Sequence, residues 1–326
     1  MSDDLGPGAP RITVISGPLG AGKTTLLQRW LADVPRGEAA VIVNEFAEVG
    51  VDGELLAEHV DALVELTGGC ICCATQADLV RALVQLADRP SPPRRVFIET
   101  SGAASPGAVV RSITRGPVSR RMRLDGVVTV VDPTRVERVA RALLFHEQVA
   151  FADVIVLTRA DAADTALFER VEAALRARNP AAVFARAARG ALLAEEGGGL
   201  DALLARRAED FGAPWVVLRP PGDLHDSALA AASLTLDGAL ESERFAAWIE
   251  GVVATSGPRL VRLKGVVAIA GVPVRLVLQG VGGAVEVSFG RPWALDPPRS
   301  RVVFIGVELD PASLQAGFVA CAARDP

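Results

Sequence analysis

The chain has 326 residues, a length that allows two domains, each large enough for its own core. Half of the residues are hydrophobic, but no apolar run approaches the ~20 residues of a membrane span, so we expect a soluble protein with no membrane partner. The 34 basic and 39 acidic residues give a net charge of −5 without any basic block, which argues against nucleic acid as a partner.

The first ten residues and the cysteines indicate where the protein works. Residues 1–10 are acidic, rich in proline and glycine and without the apolar core of a signal peptide, so they predict a flexible tail. Three of the four cysteines, Cys70, Cys72 and Cys73, stand together. Crowded cysteines rarely reach disulfide geometry without strain, and they are typical of a thiolate metal site in a reducing compartment. The sequence therefore predicts a cytoplasmic protein.

Short β-branched runs alternate with segments of helical periodicity from residue 11 onwards. The predicted strands are residues 11–16, 39–44, 95–99, 126–131, 154–158 and 181–185, and helices are predicted at 78–87, 133–144 and 164–178. This alternation predicts an α/β domain over residues 11–220, with a mainly parallel sheet that binds ligands at the carboxyl ends of its strands.

The order of elements changes after a run of turn formers at residues 219–225, which predicts a linker over residues 221–232. The elements predicted beyond it are a helix at 242–255, strands at 260–269, 275–281, 284–289 and 301–309, and a helix at 311–322. Consecutive strands with short glycine-rich turns predict a smaller α+β domain, residues 233–326, with a largely antiparallel sheet.

Residues 17–24 read Gly-Pro-Leu-Gly-Ala-Gly-Lys-Thr and lie between a predicted strand and a predicted helix. This placement is typical of a phosphate-binding loop, whose backbone N–H groups and helix dipole surround a triphosphate. In such a loop Lys23 reaches the β- and γ-phosphates and Thr24 offers its hydroxyl to Mg²⁺. The residues predicted to bind the nucleotide here are Gly17, Gly20, Ala21, Gly22, Lys23, Thr24 and Thr25.

The predicted strand at 95–99 ends in Glu99, followed by Thr-Ser-Gly102. In a P-loop fold this strand lies beside the first one, so Glu99 is expected to support Mg²⁺ and to act with Lys23 and Thr24 in catalysis, and Gly102 to approach the γ-phosphate. The alternative is that Glu99 only caps the next turn.

Residues 158–161, Thr-Arg-Ala-Asp, follow the predicted strand at the place where many GTPases carry Asn-Lys-x-Asp. An aspartate there accepts hydrogen bonds from N1 and the exocyclic amine of guanine, which adenine cannot supply. Thr158 and Asp161 are therefore predicted to line the base site, with GTP favoured over ATP. The stem of Arg159 could still cover the base, although arginine and lysine are not interchangeable.

The cysteine motif predicts a metal site. Thiolates at Cys70, Cys72 and Cys73, after two glycines, can converge on one soft or borderline cation and leave a fourth position open. Glu45 and Glu48 are acidic candidates in the region where P-loop switches respond to the γ-phosphate. The alternatives are a buried turn for the cysteines and solvated surface charges for the acids.

Together these motifs resemble the CobW family of metal-chaperone GTPases. The resemblance rests on Gly17-Pro-Leu-Gly-Ala-Gly-Lys-Thr-Thr25, Asn44-Glu-Phe-Ala-Glu-Val-Gly-Val-Asp52, Gly69-Cys-Ile-Cys-Cys73 and Glu99-Thr-Ser-Gly102, and in the second domain on Arg262-Leu-Lys-Gly265, Arg275-Leu-Val-Leu-Gln-Gly280, Arg291-Pro-Trp293 and Val303-Phe-Ile-Gly306. It covers nearly the whole chain.

The resemblance implies GTP binding with Mg²⁺ and slow GTP hydrolysis, coupled to delivery of Zn²⁺ or Co²⁺ from the Cys-x-Cys-Cys motif to a client metalloprotein or metal-insertion complex. The second domain is more similar to the branch linked with cobalamin synthesis than to the zinc-homeostasis branch. A homodimer is left open.

This chain departs from the family pattern in the altered residues 158–159, in Ala47 where glycine is usual, and in having only three histidines and no histidine-rich tract. Two other classes therefore stay open: a P-loop ATPase or kinase, and a metal-binding module whose GTPase activity has decayed.

Overall fold

The structure is a computed structural model that describes residues 5, 8–44, 62–65, 74–162, 164–193, 199–206, 229–294 and 296–323. By its contacts the chain divides into two compact units. The first comprises Met1–Leu175 and Ala182–Asp210, and the second comprises Arg176–Ala181 and Phe211–Pro326. Within the described ranges, no helix is both long and apolar enough to cross a membrane.

The first unit is built on a sheet with strand order β3-β2-β4-β1-β5-β6-β7-β8. Its strands are β1 (Arg11–Ser16), β2 (Ala39–Asn44), β3 (Ala62–Glu65), β4 (Arg95–Thr100), β5 (Arg123–Val131), β6 (Val154–Leu157), β7 (Val183–Ala188) and β8 (Ala191–Leu192). The helices among them are α1 (Lys23–Leu31), α2 (Ala74–Ala87), α3 (Pro106–Thr114), α4 (Val136–Val139), α5 (Leu143–Phe151), α6 (Thr165–Arg178) and α7 (Leu200–Arg206). All pairs are parallel except β7 with β8. The predicted mainly parallel P-loop fold is confirmed.

The strand that precedes the phosphate loop lies in the middle of this sheet. β1 is flanked by β4 and β5, and its Ile12, Val14 and Ile15 are fully buried, as expected for a parallel strand covered on both faces. α1 packs Leu26, Leu27 and Trp30 into the same core. Each such large side chain stabilises the fold by about 1.5–3 kcal/mol. The loop between β1 and α1 is therefore held by a rigid support on both sides.

The prediction of one continuous helix over residues 133–144 is wrong, because within it only α4 and the start of α5 are α-helical. Residues Pro133–Arg135 form a 3-10 turn that precedes α4, Ala142 is extended, and the main helix is α5. Asp132 starts the turn by accepting a hydrogen bond at Oδ1 from the Thr134 backbone N–H at 3.0 Å. α5 is buried around most of its circumference, so its sequence carries no amphipathic period that could have placed its bounds.

The second unit has a five-stranded antiparallel sheet with strand order β12-β11-β10-β13-β9. Its elements are β9 (Leu229–Asp237), α8 (Ser242–Ser256), β10 (Leu260–Val267), β11 (Val274–Val281), β12 (Ala284–Pro292), β13 (Arg299–Val307) and α9 (Pro311–Ala320). One sheet face packs on the two helices, with Leu263 and Phe304 against Phe245, Leu314 and Phe318. The predicted α+β domain with an antiparallel sheet is confirmed.

β9 is missing from the predicted elements, and its first four residues overlap the predicted linker at residues 221–232. The strand reads Leu-Ala-Ala-Ala-Ser-Leu-Thr-Leu-Asp and contains a single β-branched residue, Thr235. Alanine is depleted in strands, so local propensity gives no strand signal here. Pairing with β13 along all nine residues makes it a strand.

The fourth cysteine has a packing role. Cys321 follows α9, is 2% exposed, and donates from Sγ to the Gly317 carbonyl at 3.2 Å. Burial raises the pKa of the Cys321 thiol, which disfavours the thiolate that binds metals.

Candidate nucleotide-binding site

The loop between β1 and α1 has the backbone of a phosphate cradle. Gly17, Gly20 and Gly22 have φ values of 132°, 72° and 97°, a region that residues with a side chain rarely adopt. A Cβ atom at Gly17 would lie 2.1 Å from the Val130 carbonyl oxygen on β5, so only glycine fits. Gly22 caps α1 without a side-chain hydrogen bond, so the first-turn N–H groups are available to an anion.

The lysine of the motif lies directly over this loop. Lys23 is 7% exposed, and its Nζ donates to the carbonyl oxygens of Gly17 at 3.1 Å and Pro18 at 3.2 Å. A phosphate oxygen is a stronger partner for an ammonium group than a neutral carbonyl, because the bond is then charge-assisted on both sides. The geometry therefore suits a lysine that exchanges loop carbonyls for phosphate.

Two candidate Mg²⁺ ligands meet beside the lysine. The Thr24 hydroxyl donates to Glu99 Oε1 at 2.9 Å, and Glu99 is only 3% exposed. The pair forms because β4 lies beside β1, with Glu99 opposite Ile15. A hydroxyl and a carboxylate are the hard oxygen ligands that Mg²⁺ prefers, so the residues present fit this ion.

The turn after β4 touches the phosphate loop. A Cβ atom at Gly102 would lie 2.5 Å from the Leu19 backbone nitrogen, so glycine is required for this close approach. Gln148 of α5, 1% exposed, holds the turn by donating from Nε2 to the Gly102 carbonyl at 3.2 Å. Gln148 had no sequence signal, because its role depends on a helix that packs from a distant part of the chain.

The predicted base-site motif, residues 158–161, is tied to the phosphate loop through its first residue. The Thr158 hydroxyl donates to the Ala21 carbonyl at 2.8 Å and is 7% exposed. Asp161 lies three residues on, where its Oδ2 pairs with Arg189 Nε at 3.2 Å. The Arg189 side chain is 90% exposed, and a pair this exposed is weak, so guanine can compete for the carboxylate.

Asp132, a nearly buried carboxylate that pairs with two neighbouring arginines, is not among the predicted site residues. Its side chain is 2% exposed, and its Oδ2 lies 2.6 Å from Arg159 Nε and 3.5 Å from Arg135 Nε. Arg135 reaches the phosphate loop, since a Cβ atom at Gly20 would lie 2.8 Å from its Nη1. Asp132 directly follows the apolar strand β5, much as Glu99 lies near the end of β4, and this shared pattern was a sequence signal for it.

The predicted transition-metal ligands Cys70, Cys72, Cys73, Glu45 and Glu48 lie outside the described residues. The strands that lead towards them are described: β2 ends at Asn44 and β3 ends at Glu65. Both run parallel to β4 and β1, so their carboxyl ends lie at the same sheet edge as the phosphate loop. In the described part of the chain, no three His, Cys, Asp or Glu residues group as a metal site.

Comparison with known families decides the identity of this arrangement. Residues 11–186 match the CobW/HypB/UreG nucleotide-binding domain, and residues 229–322 match the cobalamin synthesis protein CobW C-terminal domain. The chain belongs to the CobW/HypB/UreG family. The resemblance drawn from the motifs is confirmed, and it extends over both units.

Relatives of this CobW-family chain span nearly its whole length. The zinc chaperone YjiA of Escherichia coli strain K12 is 32% identical over 320 residues, covering 94% of this chain and 97% of YjiA. The zinc chaperone CobW of Pseudomonas aeruginosa is 33% identical over 343 residues, covering 93% and 89%. The crystal structure of Zn(II)-bound YjiA GTPase from E. coli matches with a TM-score of 0.68 at 25% identity, over 97% and 99% of the two chains. The CobW-family chain thus shares the two-domain P-loop GTPase fold.

Replacing Asp161 tests how this CobW-family chain reads the base. We expect Asp161→Ala to lower the ratio of GTP to ATP affinity by about tenfold or more, because a charged acceptor for guanine is lost. Competition binding of both nucleotides measures the ratio. Glu169→Ala, an exposed acid on α6, is the matched control. An unaltered ratio in Asp161→Ala would mean that guanine is read elsewhere.

Proposed function

We propose that this protein binds GTP with Mg²⁺, hydrolyses GTP slowly, and uses this cycle to hold zinc or cobalt and deliver it to a client metalloprotein or metal-insertion complex. The observation that carries the proposal is the contact of Thr24 with Glu99 beside Lys23, at the phosphate loop of a CobW-family chain.

Each contact in the site has a part in the proposed hydrolysis. Lys23 leaves the loop carbonyls and binds the β- and γ-phosphates, while Gly102 presents its backbone to the same end of the nucleotide. Thr24 and Glu99 would hold Mg²⁺, which supplies positive charge to the phosphate oxygens. Catalysis here consists of positioning and electrostatic stabilisation of the transferred group.

Residues 158–161, here called the base loop, set the choice of nucleotide. The Thr158 hydroxyl donates to the Ala21 carbonyl and thereby holds the base loop against the phosphate loop. The threonine hydroxyl can perform this structural role where many GTPases have asparagine. Asp161 accepts from guanine once Arg189 yields. Arg159, held by Asp132, lies beside these residues and covers the base with its stem.

The metal part of the proposal rests on chemistry and on relatives. Cys70, Cys72 and Cys73 supply three thiolates, with Glu45 and Glu48 as candidate further ligands. Thiolates suit zinc and cobalt alike. Two relatives named zinc chaperones and a Zn(II)-bound relative favour zinc. A client in cobalamin synthesis would favour cobalt instead of zinc. Thiolate ligands also need a reducing compartment, which supports a cytoplasmic location.

Metal titrations in three nucleotide states test the proposal. The affinity for Zn²⁺ and for Co²⁺ is measured with a non-hydrolysable GTP analogue, with GDP and without nucleotide, and hydrolysis of GTP and ATP is followed in parallel. We expect the two nucleotides to differ in their effect on metal affinity by about 5- to 150-fold. Equal use of ATP would indicate an ATPase or kinase. Metal binding without turnover would indicate a metal-binding module that has lost its GTPase activity.

A further inference from the structure

The outer strand of the second unit's sheet has the properties of a self-association surface. We propose that β12 pairs antiparallel with β12 of a second copy of this chain, so that two five-stranded sheets join into one. This inference goes beyond the proposed GTP and metal cycle and depends on neither. β12 stands at the end of the strand order, and among the described residues it pairs only with β11.

The outer edge strand β12 is long and carries exposed apolar side chains. β12 has nine residues, and Val287 and Phe289 are 53% and 76% exposed. They lie opposite Leu278 and Leu276, so both belong to the sheet face that packs on α8 and α9. Proteins usually protect edge strands with charges, proline or bulges, because unpaired N–H and C=O groups template a further strand. Here the bulge and the proline come only at the end of the strand, at residues 290–292, and Glu286 is the single charged residue before them.

The residues of β12 are complementary to themselves when the strand is reversed. Arg275 faces both Gly290 and Arg291, because the register shifts there, so these two residues occupy one position of the ladder. In an antiparallel pair centred on Ser288, Val287 of each copy lies opposite Phe289 of the other. In the same register, Glu286 lies opposite the position that holds Arg291.

That pairing covers exposed apolar side chains and brings opposite charges together. On one face it covers two valines and two phenylalanines, and on the other it places a carboxylate beside a guanidinium twice. Glu286 and Arg291 are both exposed, and in the described part of the chain neither has an ion-pair partner. Cross-strand apolar and opposite-charge pairs are the units that stabilise sheets. A strand from an unrelated protein would match both faces only by coincidence, so the observations favour a second copy.

Exchanging the charges across the proposed two-fold axis tests the register of the β12–β12 pair. Sedimentation equilibrium of the full chain measures dimerisation, and the unaltered protein is expected to be a dimer. Glu286→Arg alone or Arg291→Glu alone places like charges opposite each other twice, so each is expected to weaken dimerisation by about tenfold or more. The double variant with both changes restores the opposite-charge pairs, so its dimer affinity is expected to return to within about threefold of that of the unaltered protein. Val319→Ser, an exposed valine of α9, is the matched control for surface change.

A disulfide cross-link gives a second measurement of the proposed pair, and it does not depend on changing the charged residues. Ser288 faces its own counterpart in the proposed pair, so Ser288→Cys is expected to form an inter-chain disulfide on mild oxidation. Glu286→Cys, two residues away on the same face, is expected to cross-link far less. The unaltered chain serves as background for its native cysteines. A monomeric unaltered chain, dimerisation insensitive to both single charge exchanges, or equal cross-linking at the two positions would overturn the proposal.

Discussion

Lys23→Ala is expected to lower GTP affinity by about 100-fold and to abolish measurable hydrolysis, because the phosphates lose a doubly charge-assisted hydrogen bond. In the structure the Lys23 ammonium is buried over the phosphate loop and bonded to the carbonyls of Gly17 and Pro18. A methyl group in its place leaves those carbonyls facing the phosphate oxygens. The effect therefore combines lost attraction with new repulsion.

Titration calorimetry with a GTP analogue, together with single-turnover hydrolysis, measures this effect. Arg29→Ala removes a cation from an exposed position on the same helix and is the matched control. A melting temperature close to that of the unaltered chain establishes that α1 still forms. Unchanged affinity and turnover in folded Lys23→Ala would remove the phosphate loop from the proposed function.

The parts of the fold that follow from local pattern were predictable from the sequence. β1 and β2 have the predicted bounds, because a continuous β-branched run closed by glycine or by polar residues marks a buried parallel strand. The phosphate loop was predictable for a related reason. Glycine is the residue that readily adopts the positive φ values at Gly17, Gly20 and Gly22, so the glycine positions in the sequence indicate the backbone conformation.

The parts that depend on tertiary contact were not predictable in the same way. The Asp132 side chain is nearly buried, and its ion pair with Arg159 forms only once β5 and β6 are side by side. Gln148 supports Gly102 from 46 residues away. β9 is a strand by pairing rather than by propensity. The hydrophobic periodicity of a sequence shows which face of a helix or strand is buried. It does not show which other element covers that face, and these contacts depend on the covering element.

The sheet order gives a physical basis for coupling between nucleotide and metal. β2 and β4 are neighbours, and β4 carries Glu99, which contacts Thr24 at the phosphate loop. The segments that contain Glu45 and Glu48, and then the three cysteines, follow β2 and β3 in the chain, and both strands end at the phosphate-loop edge. A γ-phosphate at this edge and a metal bound by those segments can therefore bias the same part of the protein.

Removing two thiolates is expected to break this coupling while leaving the phosphate loop intact. In the unaltered protein, bound Zn²⁺ or Co²⁺ should change affinity for a GTP analogue by about 5- to 150-fold, and by linkage the analogue must change metal affinity by the same factor. In the double variant Cys72→Ala with Cys73→Ala, a single remaining thiolate at Cys70 cannot hold the ion tightly. The effect of metal on nucleotide affinity should then vanish, while metal-free nucleotide affinity stays unchanged.

Calorimetric titration of the GTP analogue into metal-free and metal-loaded protein measures the coupling in both chains. Cys321→Ala is the matched control, because this buried thiol has a raised pKa and lies in the second unit. Its coupling should equal that of the unaltered protein. Equal nucleotide affinities with and without metal in the unaltered chain would reduce the protein to two independent sites. Coupling that survives loss of Cys72 and Cys73 would place the responsible metal ligands elsewhere.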